Sequence, residues 1–324
     1  MQPTHRRFIR TVCGDVRPED LGFTHCHEHA FILPGRGVQR NPELLLDDLD
    51  KTTAELSEFR AAGGRTIVDA QPIGPERAPR WQRQASQRSG VKIVATSGFH
   101  RAVYYAPEHF RFSEPAEALT QRMIGEITTG MLDYAESAAG EPTDVRAGLL
   151  KFASDYHLID TDARKLAEAV ADAHRQTGAP IITHTERGTC GMEQIELFRK
   201  LDVDPSAVLI SHLDRNPDVY LHEDVAASGA YLVYDGISRA KYFPDSTIVE
   251  LICRMVAAGH GDQVLLGMDM GPRTMWRAYG GGPGMTYLAR VFLPKLRRAG
   301  LDGKTVERFT IHNPAEALTF RNLT

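Results

Sequence analysis

The stretch Thr24-His25-Cys26-His27-Glu28-His29 carries three histidines at alternate positions, and it overlaps a run, Leu21–His27, with the composition of a β-strand. Side chains two residues apart point to the same side of a strand. We therefore expect the three histidines on one face and Cys26 on the other, in a packing role. Neutral imidazole is an ordinary ligand of zinc and its neighbours. The spacing predicts that His27 and His29 bind one metal ion.

Seven further β-rich runs follow, each separated from the next by a longer amphipathic stretch. The eight candidate strands are Leu21–His27, Arg65–Ala70, Val91–Ser97, Arg146–Phe152, Pro180–Thr185, Ala207–His212, Ala230–Tyr234 and Gln263–Met268. The helical patterns are Glu43–Ala61, Glu76–Gln87, Glu117–Glu136, Thr161–Gln176, Met192–Lys200, Asp218–Ala227, Ser246–Gly259 and Met285–Arg298. This alternation predicts an α/β fold, a (β/α)8 TIM barrel. A doubly wound sheet is the alternative, but no Gly-x-Gly-x-x-Gly phosphate loop supports it.

Composition limits the classes of function. The chain has 324 residues, of which 42% are hydrophobic and 25% charged, enough for one large barrel domain over 1–324, with 1–20 as a lead-in segment. The net charge of −4 gives no reason to expect a nucleic-acid or membrane partner. No apolar run approaches the roughly 20 residues that cross a bilayer. We expect a cytoplasmic protein whose four cysteines, lacking a C-x-x-C pair, are reduced.

Polar residues also end later strands. Lys151, His184 and His212 close the fourth, fifth and sixth strands, and Asp269 follows the eighth. The carboxyl ends of barrel strands share one rim, where catalytic residues lie. A single strand-end histidine is more often structural than a ligand. The whole set, with a lysine in an apolar strand where an unpaired charge is costly, favours a metal site.

Two long loops leave this rim, Gly98–Pro115 and Gly271–Gly284, and loops of this length usually form lids or bind substrate. Arg239, Lys241 and Arg273 follow the seventh and eighth strands, where barrels often bind phosphate. They could donate charge-assisted hydrogen bonds to an anion, or they could be solvated surface charges. We favour Lys241 and Arg273 because apolar or aromatic residues flank them.

Five ordered motifs resemble the phosphotriesterase-like branch of the amidohydrolase superfamily. The motifs are Gly22-Phe23-Thr24-His25-Cys26-His27-Glu28-His29, Ala147-Gly148-Leu149-Leu150-Lys151, Ile182-Thr183-His184-Thr185, Ile210-Ser211-His212 and Leu266-Gly267-Met268-Asp269. The resemblance extends from about residue 8 to Phe320. Its specificity comes from the order and number of the motifs.

The resemblance implies two divalent metal ions. One would be held by His27, His29 and Asp269, the other by His184 and His212, and Lys151, carboxylated by CO2, would bridge them. Asp269 would also be the catalytic residue that takes a proton from the attacking hydroxide. Zinc is the expected metal, with manganese or cobalt as alternatives, and a homodimer is expected. His25 has no role in this pattern.

The stretch Trp276–Gly284 resembles family members that open sugar lactones, some of them phosphorylated. We therefore predict a lactonase acting on a small sugar lactone. The predicted substrate contacts are Lys241, Arg273, Arg239, Tyr105 and Trp276. Tyr105 could instead pack on its own barrel. An amide hydrolase or phosphotriesterase with the same metals, a mononuclear site with unmodified Lys151, and a non-catalytic binding protein are the alternatives.

Overall fold

A computed structural model describes residues 7–74, 77–133 and 140–321. Three predicted features reach beyond these ranges. The start of the pattern Glu76–Gln87, the end of the pattern Glu117–Glu136 and the first residues of the lead-in segment lie outside the described residues. Within the described ranges, no helix is both long and apolar enough to span a bilayer.

All eight predicted strands are present and form one parallel sheet in chain order. They are β1 Thr24–Glu28, β2 Thr66–Asp69, β3 Lys92–Gly98, β4 Leu149–Ala153, β5 Ile181–His184, β6 Val208–Ser211, β7 Tyr231–Tyr234 and β8 Val264–Leu266. Strand β8 returns to β1, where the backbone N–H of Asp269 donates to the carbonyl of His27 at 3.0 Å. The predicted TIM barrel is confirmed. Its doubly wound alternative is wrong because the first and last strands meet.

Gly267 makes this closure sterically feasible. A Cβ at this position would lie 2.9 Å from the backbone nitrogen of His27, closer than real Cβ contacts. Glu28 adds a side-chain link across the same seam, because its carboxylate accepts the N–H of Met268 at 2.9 Å and of Met270 at 3.0 Å.

Helices cover the outside of the sheet. The α-helices are Arg36–Arg40, Leu49–Ala61, Pro79–Ser89, Phe110–Ser113, Ala116–Thr128, Thr161–Thr177, Gly191–Lys200, Val219–Ala227, Asp245–Ala257, Leu293–Arg298, Gly303–Glu307 and Asn313–Ala317. Two π-helical turns, Leu288–Phe292 and Arg308–His312, precede the tenth and twelfth of these. Asp48, Asp160 and Asp218 cap the N-termini of three helices, each accepting a backbone N–H of the first turn.

Smaller elements complete the chain. The 3₁₀ turns are Pro18–Asp20, Pro42–Leu44, Ala102–Tyr104, Glu186–Gly188, Pro205–Ala207, Leu213–Arg215, Gly261–Gln263, Arg273–Met275 and Arg277–Tyr279. Two antiparallel pairs lie outside the barrel, Ile9–Thr11 with Gly14–Val16 and Leu132–Asp133 with Glu141–Pro142.

Each strand contributes one apolar side chain to a layer inside the barrel. This inner layer comprises Cys26, Val68, Val94, Leu149, Ile182, Leu209, Val233 and Leu265, all buried. Residues one position away along the strands, such as Ile181 and Ile210, face the helices in a second, larger core. Both faces of the sheet are therefore buried, as the near-continuous apolar runs of a parallel sheet require. The inner layer forms the floor beneath the candidate site.

Candidate active site

Regular strand alternation places three polar groups at the carboxyl end of the barrel. Lys151, His184 and Asp235 each stand two residues after an inner-layer side chain, so they point into the barrel one step above it. All three are buried. Lys151 and His184 belong to the predicted set. The sequence reasoning missed Asp235, although the same two-residue spacing from Val233 marks it.

Strand β1 departs from this alternation, and part of the prediction for it is wrong. The pairing register of β1 with β2 shifts between His25 and Glu28. Such a bulge adds one residue to a strand and changes which face the following residues occupy. Cys26 faces the barrel interior, whereas His25 packs against the Phe59 ring at 4.5 Å and hydrogen bonds to Glu28 at 2.8 Å. His25 therefore does not share a face with His27.

His27 and His29 nevertheless lie together above the inner layer, with ring centres 5.7 Å apart. The Nε2 atoms of His27 and His29 lie 3.8 and 3.3 Å from Oδ1 of Asp269. The Nδ1 atom of His29 is hydrogen bonded to Gln71 at 2.7 Å, and that of His27 to Ser211 at 2.9 Å. Both rings therefore present Nε2 to Asp269, with orientations fixed by bonds at the other nitrogen.

His212 and Asp269 reach the site through left-handed backbone. Their φ angles are +68° and +47°, a region that residues other than glycine seldom occupy. Each follows the end of its strand, and the reversed φ turns the side chain back over the barrel. The His212 ring lies 4.7 Å from that of His27 and 4.6 Å from that of His184. A positive φ at a residue other than glycine is energetically costly, and it persists only where the surrounding contacts hold the backbone in place.

Asp235 orients two of the imidazoles. Its carboxylate lies 2.7 Å from Nδ1 of His212 and 3.2 Å from Nδ1 of His27. The contact with His212 is a hydrogen bond, whereas the contact with His27 is electrostatic, because Nδ1 of His27 is hydrogen bonded to Ser211. Both contacts are to the inner nitrogens, so Asp235 leaves Nε2 of each ring for another partner. His184 is arranged the other way, because its Nε2 bonds to Glu186 at 3.1 Å and leaves Nδ1.

The protonation states suit metal ligation. Burial lowers the pKa of His27 and of His184 to about 4 and holds the pKa of His212 and of His100 well below the ordinary value, so these rings are neutral at pH 7. Burial alone would raise the pKa of Asp269, but Arg239, His29 and Arg215 together lower it well below its ordinary value. The site thus holds neutral imidazoles and an ionised carboxylate, the forms that bind metal.

Two guanidinium groups hold Asp269 from the side away from the histidines. Arg215 donates to Oδ2 at 2.5 Å, and Arg239 donates to Oδ2 and to the backbone carbonyl of the same residue. Both arginines lie beside the Tyr242 ring, at 4.6 and 5.4 Å. Oδ1 is consequently the oxygen left facing His27 and His29. Arg239 was predicted as a substrate contact, whereas Arg215 was missed.

Lys151 is the unusual group of the cluster. Its side chain is 1% exposed, and no described residue accepts a hydrogen bond from its Nζ atom. Burial lowers its pKa to about 8, although Asp269 and Asp235 partly offset the effect. A buried amine without a partner is costly, so the observation calls for a ligand or a chemical change at Nζ.

The donor set fits a metal centre. His27, His29 and Asp269 each offer a ligand atom, and these atoms lie within 4.8 Å of one another. His212 lies next to His27, His184 lies next to His212, and the orphaned amine of Lys151 points into the same end of the barrel. Imidazole nitrogens and carboxylate oxygens together favour zinc and neighbouring divalent ions.

A cavity of about 630 Å³ opens over this cluster. Its lining includes five of the six predicted metal ligands, namely His27, His29, His184, His212 and Asp269. It also includes His100, Arg101 and Tyr104 from the loop after β3, Arg215 after β6, and Arg239, Lys241 and Tyr242 after β7. Five cationic residues outnumber the lining carboxylates Glu186 and Asp269, which suits an anionic substrate; they are Arg40, Arg101, Arg215, Arg239 and Lys241.

Three predicted substrate contacts lie elsewhere. Trp276 is fully buried and donates its indole N–H to the Met270 carbonyl at 2.7 Å. Tyr105 is buried and donates its hydroxyl to the Ile73 carbonyl at 2.9 Å, while Arg273 is exposed. None of these three is part of the cavity lining formed by the described residues. Trp276 and Tyr105 instead hold the two long loops in place.

Comparison with known proteins agrees with this architecture. The sequence profile of the phosphotriesterase family matches residues 7–318. The chain belongs to the phosphotriesterase family. This confirms the resemblance inferred from the five motifs, and it makes the chain an ester-hydrolysing enzyme.

Three members of the family illustrate the likeness. The phospho-furanose lactonase of Mycoplasmopsis agalactiae is 30% identical over 97% of this chain and 92% of its own length. The crystal structure of a lactonase from Listeria monocytogenes has a TM-score of 0.90 and 35% identity, covering 97% of this chain and 100% of that one. A phosphotriesterase homology protein from Escherichia coli, crystallised with phosphate in its active site, has a TM-score of 0.85 and 27% identity, covering 92% and 99%.

Proposed function

We propose that this family member is a binuclear metal-dependent lactonase that opens a furanose lactone carrying a phosphate group. The observation that carries the metal part of the proposal is the buried, partnerless amine of Lys151 beside a ring of neutral imidazoles and one carboxylate. The observation that carries the substrate part is the excess of cationic side chains in a cavity of about 630 Å³, which is large enough to admit a sugar phosphate.

Carboxylation would remove the free-energy cost of burying the Lys151 amine without a hydrogen-bond partner. The lone pair of Nζ adds to the carbon of CO2, and the nitrogen releases one proton, which gives a carbamate anion. A pKa near 8 leaves a useful fraction of the amine neutral and nucleophilic at pH 7.5. The product turns a buried cation into an anion with two donor oxygens, which suits a position between two cations.

The two divalent ions would be held by His27, His29, Asp269, His184, His212 and the carbamate of Lys151. Bound there, they would lower the pKa of a shared water and polarise the substrate carbonyl. The protein's own groups set the geometry around them. Gln71, Ser211 and Asp235 fix the imidazole orientations, and Arg215 and Arg239 fix Asp269. Asp269 is the acceptor we propose for the proton of the attacking water.

The phosphate would bind at the side of the cavity formed by Arg239, Lys241 and Tyr242. The exposed Lys241 ammonium lies 5.0 Å from the centre of the Tyr242 ring and reaches the cavity mouth. A cationic group at the mouth can hold a terminal phosphate while the lactone ring lies deeper, over the histidines. The names of the lactonase relatives and the phosphate in the Escherichia coli structure support this class of substrate.

Metal analysis and a substrate screen test the proposal. Protein purified without chelators should contain close to two divalent ions per chain, with zinc, manganese or cobalt distinguished by mass spectrometry. Pentonic 1,4-lactones with and without a 5-phosphate, N-acyl amino acids and aryl phosphotriesters should be compared at equal concentration. We expect the phosphorylated lactone to give the highest kcat/KM.

Two results would contradict the proposal in different ways. A chain that binds no metal would remove the binuclear centre. A metal-loaded chain that is inactive on every lactone but active on an amide or phosphotriester would keep the centre and replace the substrate. Light scattering on the same samples tests the expected homodimer.

A further inference from the structure

We infer that His100 is a substrate-contacting catalytic residue that donates a hydrogen bond from Nε2 to the carbonyl oxygen of the ester as negative charge develops on it. The inference rests on the proposed function and concerns the same cavity. His100 is not among the metal ligands proposed above. It comes from the loop after β3, and its imidazole lines the cavity beside the histidine cluster.

The backbone of His100 is held at both of its polar groups. Its N–H donates to the Tyr105 hydroxyl at 2.8 Å, and its carbonyl accepts from Arg111 at 2.5 Å. Tyr105 is anchored in turn to the Ile73 carbonyl, and the Arg111 guanidinium stacks on the Tyr105 ring at 4.6 Å. Tyr105, predicted as a substrate contact, therefore becomes a positioning residue for His100.

The hydrogen bonding of the ring defines its tautomer. The backbone N–H of Arg101 donates to Nδ1 of His100 at 2.7 Å. An imidazole nitrogen that accepts a hydrogen bond carries no proton, so the remaining proton lies on Nε2. No described residue accepts a hydrogen bond from this Nε2. His100 is thus a neutral donor with a fixed orientation and a free N–H.

The location fits an oxygen near the metal centre. The ring centre of His100 lies 4.6 Å from that of His184 on one side and 4.6 Å from that of Tyr104 on the other. The cationic group Lys241 enters the same cavity from the loop after β7. A substrate anchored there by its anion and extending over the histidines would bring its ester group towards His100.

The chemistry requires no change of protonation at His100. When the attacking hydroxyl adds to the ester carbon, the C=O π electrons move to the carbonyl oxygen, which becomes an anion. A fixed neutral N–H donor is bound more tightly by that anion than by the ground-state carbonyl, so it lowers the barrier. Loss of one such donor typically costs on the order of 10²–10³-fold in kcat.

Two amide substitutions separate the two nitrogens of the ring. In His100→Asn the side-chain oxygen can still accept from Arg101, but no donor reaches the position of Nε2. In His100→Gln the amide nitrogen can occupy that position. Using the best substrate of the screen, we expect His100→Asn to lower kcat by about 100-fold or more with little change in KM. His100→Gln should retain activity within about 10-fold of wild type.

Two further measurements are independent of turnover. Metal content should be unchanged in both variants, and ¹⁵N spectra of imidazole-labelled protein should show the His100 signal as the Nε2–H tautomer, assigned by its loss in His100→Asn. The inference is overturned if both variants lose kcat equally, if metal is lost, or if the tautomer is Nδ1–H. Failure of the lactone proposal would show in the wild type instead, because the comparison uses whichever ester that protein hydrolyses.

Discussion

The ends of strands β4, β5 and β7 follow regular alternation, whereas the ends of β1, β6 and β8 do not. In the regular group, each site residue stands two positions after an inner-layer side chain. In the irregular group, a bulge repositions β1, and His212 and Asp269 need positive φ. Sequence pattern alone therefore locates side chains reliably in the first group. In the second, the local backbone conformation at each strand, a bulge or a positive φ, decides where they point.

The largest effect should come from the irregular group, at Asp269. Asparagine tolerates positive φ, so Asp269→Asn keeps the backbone and removes only the charge between Arg215 and Arg239. We expect kcat to fall by on the order of 10³-fold, because the proposed proton acceptor is lost and the ligand oxygen becomes neutral. Steady-state kinetics with metal analysis checks this. Activity above a tenth of wild type would show that Asp269 is not essential.

Lys151 offers the corresponding test in the regular group. Lys151→Met keeps a similar volume but removes the amine, so the variant should lose one metal ion and about 100-fold or more in kcat. The metal-free variant should be more stable than metal-free wild type by about 1 kcal/mol or more, since an unpartnered buried amine is gone. Urea unfolding measures the difference. A less stable variant would mean that the amine is well accommodated unmodified.

A smaller effect should follow from Asp235→Asn. Asparagine can still accept from one imidazole, but it cannot serve His27 and His212 equally. Outer partners of metal-ligating histidines typically contribute 10–100-fold in metal affinity or activity. Competition with a chelator measures the affinity. If Asp235→Asn lowered metal affinity as much as Asp269→Asn does, Asp235 would have to be counted as a direct metal ligand.

Acid should destabilise the metal-free protein through one histidine of each group, His27 in the irregular group and His184 in the regular group. The folded pKa of His27 and of His184 is about 4, below the ordinary value of 6.5, so the unfolded chain binds more protons between these values. The contribution of each neutral ring to the free energy of unfolding is therefore fully present above pH 6.5. It is lost as pH falls towards 4, by up to about 1.4 kcal/mol per pH unit for each ring. Thermal unfolding between pH 7 and 5 should show a shallower slope for His184→Asn. The exposed His157→Asn serves as the control.

The smallest effect on activity is expected at His25, which the bulge removes from the site. His25→Gln should keep metal content and stay within about threefold of wild-type kcat. Stability should fall by about 1–3 kcal/mol, because the buried Glu28 loses its bond to Nδ1. A loss of one metal ion in this variant would return His25 to the ligand set and refute the outward placement.

The eight strands, most helices and the rim of polar residues follow from local pattern and could be predicted from the sequence. Lys151 and His184 were predictable for the same reason. Asp235 was equally accessible, but its place in the spacing was overlooked. The directions in which His25 and Cys26 point could not be predicted, because a bulge depends on the pairing of β1 with β2 rather than on composition. Arg215 and His100 carry no such signal either, because their positions depend on the path of loops over the barrel.

The carboxylate of Glu28 joins the first strand to the segment on both sides of Asp269, since it accepts the N–H groups of Met268 and Met270. These residues are 240 and 242 positions away in the chain. The proposed proton acceptor therefore reaches its place only when the two ends of the barrel dock. Completion of the catalytic centre is therefore coupled to this long-range contact, and a chain that has not formed it holds an incomplete binding site.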